Sequence, residues 1–232
     1  MNLNESLNQM SKSLLDFFFP RHCPFCGRVT GKTLLCEKCE KTLPRCTELR
    51  TGTFGECAAP LYYEGAVREA ILAFKFKGRL EALECFGSLM AQTAAEAFSG
   101  KFDAVTWVPV SKKREHERGY DQAYLLAKET ARHWGIEPVR LLRKTRNNAA
   151  QSGLSSAAER QGNVLGVYTA ENIDKIRGAK ILLIDDILTT GATLGECVRV
   201  LKEAGAERVV CATLARAVTE KEKESARRGE PV

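Results

Sequence analysis

The sequence contains no apolar run that approaches the roughly 20 residues needed to cross a bilayer, which excludes an integral membrane protein. The longest apolar patch near the start, 14–19, is interrupted by Asp16, and the residues before it lack the basic region and apolar core of a signal peptide. Repeats and low-complexity tracts are absent. We therefore expect a cytoplasmic protein without membrane insertion.

Histidine is scarce, with three residues at separate positions, His22, His116 and His133. No Ser–His–Asp or Cys–His arrangement of a nucleophilic enzyme stands out. The acidic motif described below also lacks the GK[ST] element of a Walker phosphate-binding loop. These absences leave the cysteines and one acidic motif as the strongest functional signals.

The composition is that of a globular protein, with 44% hydrophobic and 28% charged residues. A length of 232 residues predicts one main domain and a small appendage. The net charge of +6 is concentrated in 101–160, which holds 12 Lys/Arg and 7 Asp/Glu and so carries +5. This moderate excess permits a phosphate or nucleic-acid partner without requiring one.

Six of the nine cysteines fall within the first 57 residues. Two Cys-x-x-Cys pairs favour a structural zinc site, because each pair can place two thiolates on one ion and two pairs complete a closed tetrahedral shell: Cys23, Cys26, Cys36 and Cys39. A redox pair and an iron–sulfur site are the alternatives. Cys46 and Cys57 do not make a complete second site by themselves.

Three parts follow from the pattern along the chain. Residues 1–57 are predicted to hold a short helix and the zinc module, 58–217 the main domain, and 218–232 a charged flexible tail. Within the main domain, 58–100 is helical, with Val67, Ile71, Leu72 and Phe76 at helical spacing.

Residues 101–217 alternate strands with helices, which indicates an α/β fold with a parallel sheet. Strands are expected over 104–110, 181–184 and 208–214. Helices are expected over 119–134 and 193–204, and a long loop or hairpin over 141–164.

The most informative motif follows the strand over 181–184. Asp185 and Asp186 come first, and a short loop rich in threonine then leads into a helix: Thr189, Thr190, Gly191, Ala192 and Thr193. Backbone N–H groups of such a loop and the helix N-terminus suit a phosphate, while the acids suit sugar hydroxyls or Mg²⁺. Simple capping of a turn and a helix is the alternative, but it does not account for the whole motif.

This motif resembles the phosphoribosyl-pyrophosphate (PRPP) signature of type I phosphoribosyltransferases. The resemblance implies a parallel sheet with helices on both faces, and the paired cysteines predict a small zinc-binding module before it. The resemblance also implies that Asp185 and Asp186 bind ribose hydroxyls with catalytic importance, that 189–193 hold the 5′-phosphate, and that Mg²⁺ accompanies PRPP. Part of 58–100 would belong to the hood over the acceptor.

From about Leu14 to Ala217 the chain resembles the ComF family. The features that carry the resemblance are the cysteine-rich start, Val108-Pro109-Val110, 118–123, Gln151 and Arg160. Proteins of that family are phosphoribosyltransferase-like and act in natural transformation. The resemblance implies PRPP or a related sugar phosphate as ligand, single-stranded DNA as substrate and a helicase-like transformation protein as partner.

Two basic segments fall at positions where the resemblance places mobile or pyrophosphate-binding loops. The first holds Lys112, Lys113, Arg114 and Arg118, which either neutralise a diphosphate or form a solvated helix start. The second would close over the substrate or grip DNA, and it holds Arg143, Lys144, Arg146, Gln151 and Arg160.

Three hypotheses follow. The first is a ComF-type protein that binds PRPP and handles DNA. The second is a phosphoribosyltransferase that moves ribose 5-phosphate from PRPP to a small nitrogenous acceptor. The third is a scaffold that keeps the fold without turnover.

Overall fold

The computed structural model describes residues 20–145 and 166–218. Backbone contacts divide the chain after Leu43 into two compact units. The predicted helix over 2–19, the tail from 219 onward and most of the predicted loop over 141–164 lie outside the described residues. Within the described ranges, no helix combines the length and apolar character needed to cross a membrane.

The first unit is built around two tight turns that carry the paired cysteines. The N–H of Gly27 donates to the carbonyl of Cys23 at 2.9 Å, and Gly27 has a φ of 73°, which glycine adopts without steric cost. The second pair opens helix α1 (Glu37–Thr42), whose N-cap is Cys36. Both pairs therefore lie on local elements whose geometry is fixed by hydrogen bonds.

The described part of the second unit contains eight strands, which are β1 (Arg50–Gly52), β2 (Gly55–Ala58), β3 (Leu61–Tyr62), β4 (Ala104–Trp107), β5 (Leu142–Lys144), β6 (Tyr168–Ala170), β7 (Lys180–Leu188) and β8 (Arg208–Arg216). The main sheet has the order β1-β2-β8-β7-β4, and β3 also pairs with β8. Its pairs are parallel except β1–β2. Strands β5 and β6 form a separate antiparallel pair.

Its helices are α2 (Gly65–Phe76), α3 (Leu83–Phe98), α4 (Lys112–Arg118), α5 (Gln122–Arg132), α6 (Ile173–Ile176) and α7 (Ala192–Glu203). Ile181 and Leu183 pack in one core cluster with Leu194 and Leu201 of α7. The residues that alternate with them in β7 are equally buried, so both faces of this strand are covered. The predicted α/β fold with a parallel sheet is confirmed.

The boundary between the two units differs from the one expected from the sequence. Residues 50–58 lie in the main sheet and not in the zinc module, because Cys57 pairs in register with Cys211 of β8. The side chain of Cys57 is buried in the core of the second unit. This pairing joins residues that are far apart in the sequence, so the sequence pattern could not predict it. The high cysteine content of 1–57 instead suggested that this whole stretch belonged to the zinc module.

Two further differences concern the ends of elements. Strand β7 continues to Leu188, where the sequence pattern suggested an end at Ile184, because Ile187 and Leu188 still pair with β8. The expected apolar stripe of α2 included Phe76, but Phe76 is 64% exposed and Phe74 is the buried aromatic.

The connection from β4 to α5 is fixed by one buried carboxylate. Oδ1 of Asp121 accepts from the N–H groups of Ala123 and Tyr124, both at 3.1 Å. Oδ2 accepts from the Trp107 indole at 3.2 Å and from the N–H of Val110 at 3.3 Å. Asp121 thereby joins the end of β4 to the start of α5 and shapes the loop that borders the cavity described next.

Candidate functional site

A cavity of about 920 Å³ opens at the carboxyl ends of β4 and β7. This is the edge of a parallel sheet at which α/β proteins bind ligands, because the loops that follow the strands converge there. Its wall combines the end of β7 and the start of α7 with α2, α4, the loop after β4, and the β5–β6 pair.

The acidic pair lies in this wall, and Asp186 is held by polar partners. Nζ of Lys75 lies 2.9 Å from Oδ2 of Asp186, and the Gln122 amide donates to the same oxygen at 3.3 Å. Oε1 of Gln122 accepts in turn from Arg118 at 2.7 Å. Oδ1 of Asp185 accepts from the N–H of Asp186 at 2.8 Å.

The two acids differ in their electrostatic setting. Burial raises the pKa of Asp185 well above its usual range, and the neighbouring carboxylate of Asp186 adds to the rise. The N–H of Asp186 and the ammonium of Lys75 oppose it. Asp185 is therefore the acid whose charge is less well compensated, and a ligand that donates hydrogen bonds to it would be favoured.

The predicted phosphate loop is short, because β7 continues to Leu188 and α7 begins at Ala192. Of its residues, Thr189, Gly191, Ala192 and Thr193 line the cavity, and the hydroxyl of Thr190 accepts from the N–H of Ala192 at 3.4 Å. Gly191 has a φ of 80° and precedes α7 as its N-cap. The turn thus places the start of α7, where the helix dipole is positive, at the cavity.

The β1–β2 hairpin packs against this loop. A Cβ added at Gly191 would lie 2.2 Å from the Phe54 ring, and one added at Gly195 would lie 2.6 Å from the Thr53 hydroxyl. Phe54 is buried. Both glycines are therefore required by close packing, and the hairpin fixes the position of the loop.

The basic residues predicted from the sequence separate into two groups. Arg114, Arg118 and Lys144 line the cavity. Lys112 and Lys113 are exposed on α4 outside its wall.

The second basic segment divides in the same way. Arg143 pairs with Glu171 at 2.9 Å, outside the wall of the cavity. Arg146, Gln151 and Arg160 lie outside the described residues.

Positive charges on neighbouring side chains of the cavity repel one another. Burial and the nearby charge of Arg114 lower the pKa of Lys144. The guanidinium of Arg118 lies over the Phe76 ring, 4.8 Å from its centroid. In all, five cations and three acids line the cavity, so an anion bound there would relieve repulsion.

Lys75 is the residue of this site that the sequence pattern did not identify. It lies on α2 beside Asp186, although the two are far apart in the chain. The spacing of apolar residues in α2 predicted only approximately which face of the helix is buried. No sequence motif around Lys75 distinguishes it from the other lysines. Gln122 was within a family motif but had no assigned role.

The four predicted zinc ligands come together in the first unit. Their sulfur atoms lie within 4.8 Å of one another, which suits a tetrahedral thiolate site. The N–H of Cys39 lowers the pKa of Cys36 to about 7, so this thiol readily supplies a thiolate. Burial raises the pKa of Cys39, and a bound cation would offset that effect by stabilising its thiolate.

The two cysteines without a prediction lie in the second unit. Burial raises the pKa of Cys57 to about 12, as expected for a core thiol. Sγ of Cys46 accepts from Nε of the buried Arg216 at 3.1 Å. Among the described residues, a single cluster of three or more potential metal ligands assembles, and it contains neither cysteine.

Taken together, the cavity offers hydrogen-bond acceptors, the start of a helix and several cations within one enclosure. A ligand that carries hydroxyl groups and more than one phosphate would satisfy all three features. The zinc ligands form a closed set of four, which stabilises a fold and leaves no open position for catalysis.

Two family models match the chain. A model described as a phosphoribosyl transferase domain matches residues 121–229, and one described as a double zinc ribbon domain matches residues 14–68. The first covers the acidic pair and the predicted phosphate loop, and the second covers the four cysteines. The type I phosphoribosyltransferase-like fold and the N-terminal zinc ribbon agree with the architecture described above.

Relatives with similar sequences carry names from DNA uptake. Over 184 residues the chain is 32% identical to "Competence protein ComFC" of Bacillus subtilis (strain 168), covering 79% of this chain and 72% of that protein. It is 30% identical to "Competence protein ComFC" of Streptococcus pneumoniae, covering 84% and 80%. It is 28% identical to "DNA utilization protein YhgH" of Escherichia coli, covering 83% and 84%.

Removal of two zinc ligands should abolish metal binding. We expect purified wild-type protein to hold about one zinc ion per chain and the Cys36→Ser/Cys39→Ser variant to hold almost none, because two thiolates cannot hold the ion as four do. Metal content is measured by inductively coupled plasma mass spectrometry. Cys85→Ala, in the core of the second unit, is the control that keeps its zinc, and full zinc retention in the double variant would contradict the assignment.

Proposed function

Since the chain belongs to the ComF family of competence proteins, we propose that it binds PRPP with Mg²⁺ and acts in the uptake and handling of DNA during natural transformation. The observation that supports the ligand most directly is the convergence at one strand end of the acidic pair, the Gly191 turn and a row of cations. Each of the three matches one part of PRPP.

We assign the parts of the cavity to the parts of the ligand. The carboxylates of Asp185 and Asp186 accept hydrogen bonds from the ribose hydroxyls. The loop over 189–193 and the start of α7 hold the 5′-phosphate, because their N–H groups and the helix dipole favour an anion. Arg114, Arg118 and Lys144 face the diphosphate and neutralise its charge.

Magnesium fits the same region because carboxylates and diphosphate oxygens are the ligands it prefers. It would neutralise charge on the diphosphate. The chain's own part is to orient the ribose through the acidic pair and to enclose the diphosphate with Arg114 and Arg118.

A role in DNA handling rests on the relatives and on the basic character of the chain between 101 and 160. Arg143 lies in β5 and its side chain is 59% exposed, and the segment that follows it contributes Arg146, Gln151 and Arg160. We propose that this segment contacts the phosphates of single-stranded DNA in the cytoplasm. A helicase-like protein of the transformation apparatus is the partner that the family resemblance implies.

One observation favours an enzymatic alternative. Tyr63, Leu72 and Phe76 give the cavity an apolar portion that the phosphates do not need. A planar nitrogenous acceptor fits such a surface, and transfer of ribose 5-phosphate from PRPP to it would release pyrophosphate. Release of pyrophosphate from PRPP in the presence of an acceptor is the observation that separates this alternative from binding alone.

Binding of PRPP tests the proposed ligand directly. We expect saturable binding of PRPP in the presence of Mg²⁺ by titration calorimetry and a loss of about tenfold or more in affinity in Asp185→Ala, which removes acceptors for the ribose hydroxyls. Asp174→Ala is a matched control because its carboxylate is 98% exposed on α6. Absence of binding to the wild-type protein even at a large excess of PRPP would refute the proposal.

Salt dependence tests the proposed DNA contact. If Arg143 and Arg146 contact phosphates, affinity for single-stranded DNA should fall as salt rises, and the Arg143→Ala/Arg146→Ala variant should bind more weakly with a shallower salt dependence, by about 0.7 in slope per lost contact. Fluorescence anisotropy with a labelled oligonucleotide measures both. Lys175→Ala/Arg177→Ala is the matched control, and equal affinity of both variants and wild type would exclude this segment.

A further inference from the structure

The ion pair between Lys75 and Asp186 places a protein cation inside the proposed PRPP site. The distance between Nζ and Oδ2 is 2.9 Å, and the two side chains are only 15% and 9% exposed. Both residues line the cavity. This lysine is therefore shielded from water and directed at the acidic pair, unlike a surface lysine whose ion pair is screened.

The position of Lys75 is fixed by the residues on both sides of it. Phe74 is fully buried, and its ring packs edge-on against Phe86 with centroids 5.8 Å apart. The hydroxyl of Tyr120 donates to the carbonyl of Phe74, and the guanidinium of Arg118 lies over the ring of Phe76. The last turn of α2 is held in place, so the ammonium group needs little ordering when a ligand arrives.

Lys75 also completes a polar chain that runs through Asp186. Gln122 donates to the oxygen that Lys75 contacts, and Arg118 donates to Gln122. The carboxylate of Asp186 thus faces the ammonium of Lys75 and the amide of Gln122. A second cation, the guanidinium of Arg118, is linked to it through Gln122. Electrostatically, this is the arrangement that a divalent ion would otherwise have to supply at the acidic pair.

We propose that Lys75 is a resident cation that supplies part of the positive charge that Mg²⁺ brings to this site, so that a sugar diphosphate binds together with Mg²⁺ but keeps most of its affinity when the metal is depleted. The inference rests on the proposed function and specifies how the same cavity handles charge. Lys75 neutralises Asp186, while Arg114, Arg118 and Lys144 line the same cavity and can face the diphosphate. Lys75 is a positioning residue, since it acts on the ligand through Asp186.

The first test compares PRPP binding with and without magnesium. Zinc-loaded full-length protein is titrated calorimetrically with the sodium salt of PRPP, either with Mg²⁺ or in buffer depleted of it by a chelating resin, with zinc content checked afterwards. We expect wild-type affinity to change by less than about threefold on depletion, and Lys75→Met affinity to fall by about tenfold or more and to recover when Mg²⁺ is added.

Two further variants separate charge from structure. Lys75→Arg keeps the cation and should retain the weak magnesium dependence of the wild type. Lys77→Met changes an exposed lysine outside the cavity wall and should behave as wild type throughout. Thermal unfolding of each variant verifies that it is folded.

A second measurement determines how tightly the acidic pair binds a divalent metal ion when PRPP is absent. Mn²⁺, a paramagnetic substitute for Mg²⁺, is titrated into zinc-loaded protein and followed by electron paramagnetic resonance. Lys75→Met should bind Mn²⁺ at least about tenfold more tightly than wild type, because removal of the ammonium frees the acidic pair for a metal.

The outcomes distinguish failure of this inference from failure of the proposed function. If wild type binds PRPP only with Mg²⁺, and Lys75→Met shows the same dependence, the inference is wrong and the proposed ligand stands. If wild type binds no PRPP under either condition, both are wrong. Equal Mn²⁺ affinity in wild type and Lys75→Met would also overturn the inference.

Discussion

Two adjacent carboxylates at the end of a buried strand impose the main constraint on the second unit. Asp186 is only 6% exposed, and Asp185 follows a run of four fully buried residues. Charges in such a place are costly unless partners surround them. The end of α2 brings the ammonium of Lys75 to this point, the start of α5 brings the amide of Gln122, and the Gly191 turn lines the same cavity.

The surrounding elements are in turn fixed by contacts between distant parts of the chain. Asp121 joins the end of β4 to the start of α5 through four N–H donors, which positions Gln122 next to Asp186. Phe54, on the β1–β2 hairpin, occupies the space beside Gly191. The lining of the cavity therefore comes from five separate stretches of the chain, while the predicted phosphate loop is a single stretch.

This difference explains how much the sequence alone could predict. The zinc ligands and the Asp185–Thr193 motif are local patterns whose geometry follows from a turn, a strand and a helix start, so they were found directly. The parallel sheet followed from the alternation of strands and helices. The four-cysteine cluster is confirmed by the structure, while the assignment of PRPP to the cavity stays a prediction.

What the sequence did not reveal depends on tertiary packing. Lys75 meets Asp186 only because the end of α2 comes to lie next to the acidic pair in the folded chain, and Cys57 belongs to the main sheet because it pairs with β8. The exposed Phe76 was misassigned because a small error in helical phase moves a residue from one face to another. The exposed Lys112 and Lys113 differ from Arg114 and Arg118 only through their positions on a short helix.

The most direct test of the central claim measures the frequency of natural transformation in a strain whose transformation depends on this protein. A strain that carries the Asp185→Ala variant is compared with one that carries the wild-type chain. Protein abundance and zinc content are matched between the two strains. If the sugar-phosphate site carries the function, the variant should transform at the level of a deletion strain. Transformation at the wild-type level would show that the site is dispensable and would contradict the account.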